Sequence, residues 1–143
     1  MHTSKKPWFS VLLLVILLTV VVMAIAEESE NPPGPPLDYQ HTQSVSARLT
    51  ISGGKAIAFG EVVPYDHMRT SITVRLQKST NGSSNWTTIG TWTGSNPHGD
   101  AQARGTKAIS QGYYYRVRST GKVYDSSGNV LETVTKTSTV KSY

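Results

Sequence analysis

The stretch that decides the fold is Gly112-Tyr113-Tyr114-Tyr115-Arg116-Val117-Arg118-Ser119. Read with period two, it sends Tyr113, Tyr115, Val117 and Ser119 to one face and Tyr114, Arg116 and Arg118 to the other, as a strand covered on one side requires. We read it as a central strand of an antiparallel β-sandwich.

Upstream, Ile72, Val74 and Leu76 point inward and Thr73, Arg75 and Gln77 outward, the cleanest alternation in the chain. Before that, Val45, Ala47, Leu49 and Ile51 alternate with Ser46, Arg48 and Thr50, so order is expected to begin near Ser44. Ser52-Gly53-Gly54-Lys55 supplies a tight connection, because glycine accepts the positive φ that such turns need. A second strand follows over 56–63 and ends at Pro64; Gly60 within it predicts a bulge or a close contact. Asn81-Gly82 is the strongest hairpin signal. The strand over 86–92 is expected to carry Trp86 and Trp92 on one face and Ile89 on the other.

Past the turn Ser95-Asn96-Pro97-His98-Gly99, a weaker strand over 102–109 leads into the tyrosine strand. That strand is predicted to continue, after a kink at Gly121, through Lys122-Val123-Tyr124. The turn Asp125-Ser126-Ser127-Gly128-Asn129 precedes a last, threonine-rich strand over 130–140, polar enough for a sheet edge. No long segment has helical periodicity. About seven strands with closely spaced turns and no crossover helices imply an antiparallel sandwich over 44–143.

The N-terminal residues are read apart from the fold. His2, Lys5 and Lys6 precede an apolar run from Trp8 through Met23, and Ala24-Ile25-Ala26 supplies small residues at both cleavage-determining positions, so 1–26 reads as a signal peptide. The alternative is an uncleaved anchor over 8–26, since the apolar run just reaches the length that spans a bilayer. Either way the remainder is expected outside the cell. Residues 27–43 are acidic and then proline-rich, with Asn31-Pro32-Pro33-Gly34-Pro35-Pro36, and read as a disordered spacer.

The chain has no cysteine, which excludes disulfides, thiolate nucleophiles and cysteine-ligated zinc. Stability has to come from packing and sheet hydrogen bonds. The formal net charge is +5, two of it from Lys5 and Lys6 in the leader. This mild excess suits an anionic surface, and export argues against nucleic acid.

The tyrosine strand, Gly112 through Arg118, resembles the sixth strand of immunoglobulin-like and fibronectin type III domains, in which a tyrosine near the strand start hydrogen-bonds back across a corner. The resemblance implies Tyr113 for that corner, with Tyr115 and Val117 continuing the buried face and Ile72-Val74-Leu76 facing them. There is no cysteine pair and no third-strand tryptophan, so the chain resembles the broader sandwich class rather than a true immunoglobulin domain. Its layout is also similar to small secreted Firmicutes proteins of unknown function, which implies a Gram-positive secreted setting and no catalytic residue.

Three groups of residues are candidates for function. Arg75, Arg116 and Arg118, with Tyr114 and Gln77 beside them, are expected to share the outward face of the third and sixth strands. Arginine forks match phosphate and carboxylate, so the expected partner is an anionic cell-wall polymer, a membrane surface or an acidic protein. The alternative is that these arginines only keep an exposed sheet soluble. Tyr65, Trp86 and Trp92 form a second candidate, stacking on sugar rings, although strand tryptophans more often fill a core. Asp66, His67, His98 and Asp100 form the third: if their loops share one end of the sandwich, they could hold a divalent metal or perform acid–base chemistry.

No G-x-S-x-G elbow or phosphate-binding glycine loop is present, and no cofactor is implied. Asn81-Gly82-Ser83 and Asn85-Trp86-Thr87 fit the N-glycosylation pattern, which in a eukaryotic secretory path would put glycans on the hairpin after the third strand and in a bacterium marks only turn residues. The expected protein is therefore a non-enzymatic binding or structural component of the cell surface. A small metal-dependent or acid–base enzyme and a secreted effector or inhibitor are the alternatives.

Overall fold

The computed structural model describes residues 38–143. The expected leader at 1–26 and residues 27–37 of the expected spacer lie outside the described residues. Eight strands follow in order: β1 (Thr42–Ser52), β2 (Lys55–Pro64), β3 (Arg69–Ser79), β4 (Thr87–Asn96), β5 (Ala101–Ala108), β6 (Tyr114–Tyr124), β7 (Val130–Thr137) and β8 (Lys141–Ser142). They form two antiparallel sheets, β1-β2-β5 and β4-β3-β6-β7, with β8 pairing the start of β6. This is the all-β sandwich that the alternation predicts. The chain changes sheet between β2 and β3, between β4 and β5, and again between β5 and β6, so each layer depends on the other.

The core is asymmetric in residue size. Ile72, Val74 and Leu76 of β3 and Tyr115 and Val117 of β6 face Ala56, Ala58 and Val62 of β2 and Ala101 and Ala103 of β5, all buried. Bulk from one sheet meets small residues from the other, which lets side chains interdigitate at the ordinary spacing of packed sheets. The closest approach is at two glycines. A Cβ on Gly60 would collide with the Ser119 hydroxyl and lie 2.6 Å from Val74, and one on Gly121 would lie 2.8 Å from Val62. Of the two readings for Gly60, the close contact is correct, since both β2 registers pass through it unbroken. Gly121 likewise makes no kink, because the β3–β6 pairing runs without a shift from Arg69↔Tyr124 to Ser79↔Tyr114.

Four further expectations change. The corner tyrosine is Tyr115: its hydroxyl donates to the Ser110 carbonyl at 2.6 Å and accepts from the Ser110 N–H at 3.2 Å. Tyr113 precedes β6 and lies at the mouth of the core beneath the Lys78 ammonium, 4.3 Å from its ring centroid. Gly112, with φ of 86°, turns the chain so that the Ser110 peptide returns over the ring that enters the core first. Burial pushes the Tyr115 phenol above its ordinary pKa, although its bond to Ser110 opposes the shift.

The last strand is two strands, because Ser138 leaves the ladder. Its N–H bonds the Val117 carbonyl and its hydroxyl accepts from the Val117 N–H, both at 2.9 Å. The hairpin signalled at Asn81-Gly82 forms between β3 and β4, but through a wide loop over 80–86 rather than the two-residue turn that Asn-Gly favours. In it the Asn81 carboxamide oxygen accepts from the N–H groups of Ser83 and Ser84, and Gly82 and Asn85 both have positive φ. The tight connection expected at Gly53-Gly54 is a two-residue turn, where both φ values are positive and Ser52 pairs with Lys55.

Order also begins ahead of Ser44. Thr42 is fully buried, Tyr39 packs on the core, and the Glu132 carboxylate of β7 pins the entering chain. It accepts from the Gln40 and His41 N–H groups at 2.9 and 3.2 Å and from the Thr42 hydroxyl at 2.6 Å. Burial by itself would raise this carboxyl's pKa, but the bonds from Thr42, Gln40 and His41 outweigh it and hold it below the ordinary value.

Two predictions follow from these contacts. Tyr115→Phe strands the Ser110 peptide groups and is expected to lower stability by about 1–3 kcal/mol in denaturant unfolding, whereas Tyr113→Phe changes it little. Because the folded pKa of Glu132 is depressed, its contribution is complete above the ordinary glutamate value near 4.5 and is lost as pH falls through the lower folded value. Hydrogen exchange at the Gln40 and His41 amides should therefore accelerate in that acid window, and Glu132→Gln should abolish the step.

Candidate functional site

The β3–β6 pairing places the predicted cations together. Arg75 is directly opposite Arg118 and Gln77 opposite Arg116, all on the outward side of the larger sheet. Alternation along β6 continues through Thr120 to Lys122, which adds a fourth cation to the same face. The rows extend over four strands: Thr91-Arg75-Arg118-Thr137, then Thr93-Thr73-Thr120-Thr135, then Ser95-Ser71-Lys122-Thr133. No Asp or Glu holds an outward position on β3, β4, β6 or β7. Glu132, the one carboxylate in these strands, lies opposite buried Val123 and is committed to the N-terminal segment.

A groove of about 580 Å³ crosses this face between Arg75 and Lys122, with Thr73, Thr93, Ser95 and Thr120 along it. Its chemistry is cationic and hydroxylic. Like charges directly opposite in a sheet oppose pairing, so the Arg75–Arg118 row works against the fold unless counter-anions occupy it.

Arg116 is held more rigidly than its neighbours. Its Nε donates to the Gln77 side-chain oxygen at 2.8 Å, and its guanidinium lies 4.1 Å from the centroid of the Trp86 ring. Burial, and then the charge of Arg118, lower its pKa from the ordinary arginine value, and it remains a cation. Tyr114 is half exposed beside it, with its ring packed over Gly82.

The sugar-stacking trio does not assemble. Trp92 is paired with Val74 and points inward, where its ring packs on Gly105 of β5 and closes the edge between the sheets. Trp86 turns to the opposite, outward side because a bulge places Ile89 between the Leu76↔Gly90 and Gln77↔Thr88 pairs and reverses the alternation. Tyr65 is exposed in the β2–β3 loop, whereas Trp86 is beyond the far end of β3.

The two histidine loops do meet. The Gly99 N–H bonds the Met68 carbonyl at 2.9 Å and the Thr70 hydroxyl donates to the Gly99 carbonyl, so His67 and His98 line one cleft of about 690 Å³ at that end of the sandwich. Asp66 and Asp100 do not line it. Its carboxylate is Asp125, which is occupied by its own turn: one oxygen accepts from the Ser127 and Asn129 N–H groups and the other from the Asn129 amide. The Asn129 side chain and backbone hold Asp125 below its ordinary pKa, which makes it a poor base. Among the described residues no three histidine or carboxylate side chains converge on a point that could hold a metal ion.

No family model matches the chain. No curated protein matches it either.

Lys122 and the threonine rows are the parts of this face that the sequence reading leaves out. The signal was present, since Arg116, Arg118, Thr120 and Lys122 share parity; expecting a kink at Gly121 ended the pattern too early. The Trp86 contact had no comparable signal, because a single bulged residue determines its side.

The like-charge row has a measurable consequence. Arg75→Gln is expected to raise stability by about 0.2–1 kcal/mol at low ionic strength, and the difference from the parent should close as salt screens the pair. Thermal unfolding of both proteins at low and high salt checks it.

Proposed function

We propose that the protein is a non-enzymatic binding module of the cell exterior whose β4-β3-β6-β7 face docks on an anionic polymer of the cell surface. The observation that carries this reading is the Arg75–Arg118 row. Two arginines at directly opposed strand positions on a face without a carboxylate, with Arg116 and Lys122 on either side, form a site whose charge is unbalanced until an anion arrives. The hydroxyls between them add donors and acceptors without adding counter-charge. The exported setting read from residues 1–26 and the placement of these side chains on a sheet both suit docking, since strands fix side chains more firmly than loops do.

The test is retention of the purified protein on isolated bacterial cell walls as a function of salt. Retention should fall steeply as salt rises, with log affinity linear in log salt. Arg75→Gln with Arg118→Gln should weaken retention and reduce that slope by about two, roughly one for each phosphate contact removed. Salt-insensitive retention, or a double variant that binds like the parent, defeats the reading.

A further inference from the structure

We infer that the polymer taken by this face is a polyol phosphodiester, a chain of phosphates joined by short hydroxylated carbon units. The inference rests on the reading that the face binds an anionic polymer and specifies which one. It starts from the period of the strand. Outward residues of β6 recur at every second position, about 6.7 Å apart, so Arg116, Arg118, Thr120 and Lys122 stand in one line at equal steps. Three of the four steps hold a cation, and Arg75 doubles the charge at the Arg118 step from about 4.8 Å away on β3.

A polymer with one negative charge per step of that length can set an anion beside each cation without bending. Phosphates joined through a three-carbon diol have such a step when extended. Inorganic polyphosphate carries its charges much closer together, so most would face no cation. The guanidinium forks accept phosphate oxygens in pairs, and Lys122 supplies a point charge at the end of the line.

The neutral part of the groove distinguishes phosphodiesters from polycarboxylates of similar spacing. Between Arg75 and Lys122 it offers the hydroxyls of Thr73, Thr93, Ser95 and Thr120, while that of Ser71 is paired with the Tyr124 hydroxyl at 2.9 Å. Thr120 and Thr135 hydroxyls are 3.5 Å apart, so their capacity is left largely for a ligand. Such groups pair with linker hydroxyls and with the uncharged phosphodiester oxygens. An α-linked polyglutamate chain carries its neutral pairing groups in the peptide backbone, a two-carbon side chain away from each carboxylate, so carboxylates seated on the cations hold those groups off the hydroxyl row.

The experiment compares binding of the purified protein to four probes at equal charge concentration: a glycerol-phosphate polymer, polyglutamate, inorganic polyphosphate and phosphatidylglycerol vesicles. The glycerol-phosphate polymer should bind about tenfold tighter than any other, the weight of one or two hydrogen bonds. Thr73→Val with Thr120→Val, which keeps β-branched strand residues, should erase that preference, bringing the glycerol-phosphate polymer to the affinity of polyphosphate for the same variant. A cooperative unfolding transition shows that this variant is folded. Equal binding of all four probes overturns the inference and leaves the polyanion reading standing. Preference for polyglutamate, or for the vesicles, which carry the same headgroup without a linear register, overturns it as well. Binding to none of the four defeats both.

Discussion

The structure depends on the unshifted pairing of β3 with β6. Over the whole length of both strands each residue of one has a fixed partner on the other, so the two alternations, read separately, become one surface with two sides. The inner side receives Ile72, Val74, Leu76, Tyr115 and Val117, and the outer side receives Arg75, Gln77, Arg116, Arg118 and Lys122. A slip of one residue would exchange the two sets, placing guanidiniums against the alanines of the smaller sheet. The penalty for burying unpaired charge makes that register inaccessible, so the core and the cationic face specify each other.

Everything else adjusts to that spine. The smaller sheet approaches it through alanines and Gly60, whose missing Cβ leaves room for Ser119 and Val74. Ser119 is fully buried and its hydroxyl has no hydrogen-bond partner among the described residues, so the approach is close enough to tolerate a modest polar cost. Trp92 closes one edge by lying across Gly105, and Glu132 closes another by holding the chain where it enters β1. These contacts differ in kind, steric at the glycines and electrostatic at Glu132, and only the latter responds to pH.

The cationic face is the place where stability and the proposed binding oppose each other. A strand pair selected for stability alone would set a carboxylate or a second threonine opposite Arg75, as the neighbouring rows do with Thr73 and Thr120. Arg116 differs because Gln77 and Trp86 hold it, which preorganises one fork and lowers the entropy lost when an anion is bound. The histidine cleft offers no comparable arrangement, since its carboxylate is consumed by a turn and its imidazoles have no third ligand beside them.

What the chain order determined by itself was the period: apolar and polar residues alternating at Ile72 to Gln77 and at Tyr113 to Ser119 are sufficient for an antiparallel sandwich and for a face carrying Arg75, Arg116 and Arg118, because strand geometry repeats every two residues. Those consequences are local in origin. Which tyrosine bonds Ser110, which side Trp86 takes and whether the His67 and His98 loops meet were decided only in the folded molecule. Each turns on a bulge, a positive φ or a contact between residues distant in the chain. One inserted residue reverses every side chain beyond it, and no pattern along the chain marks it until a second strand fixes the register.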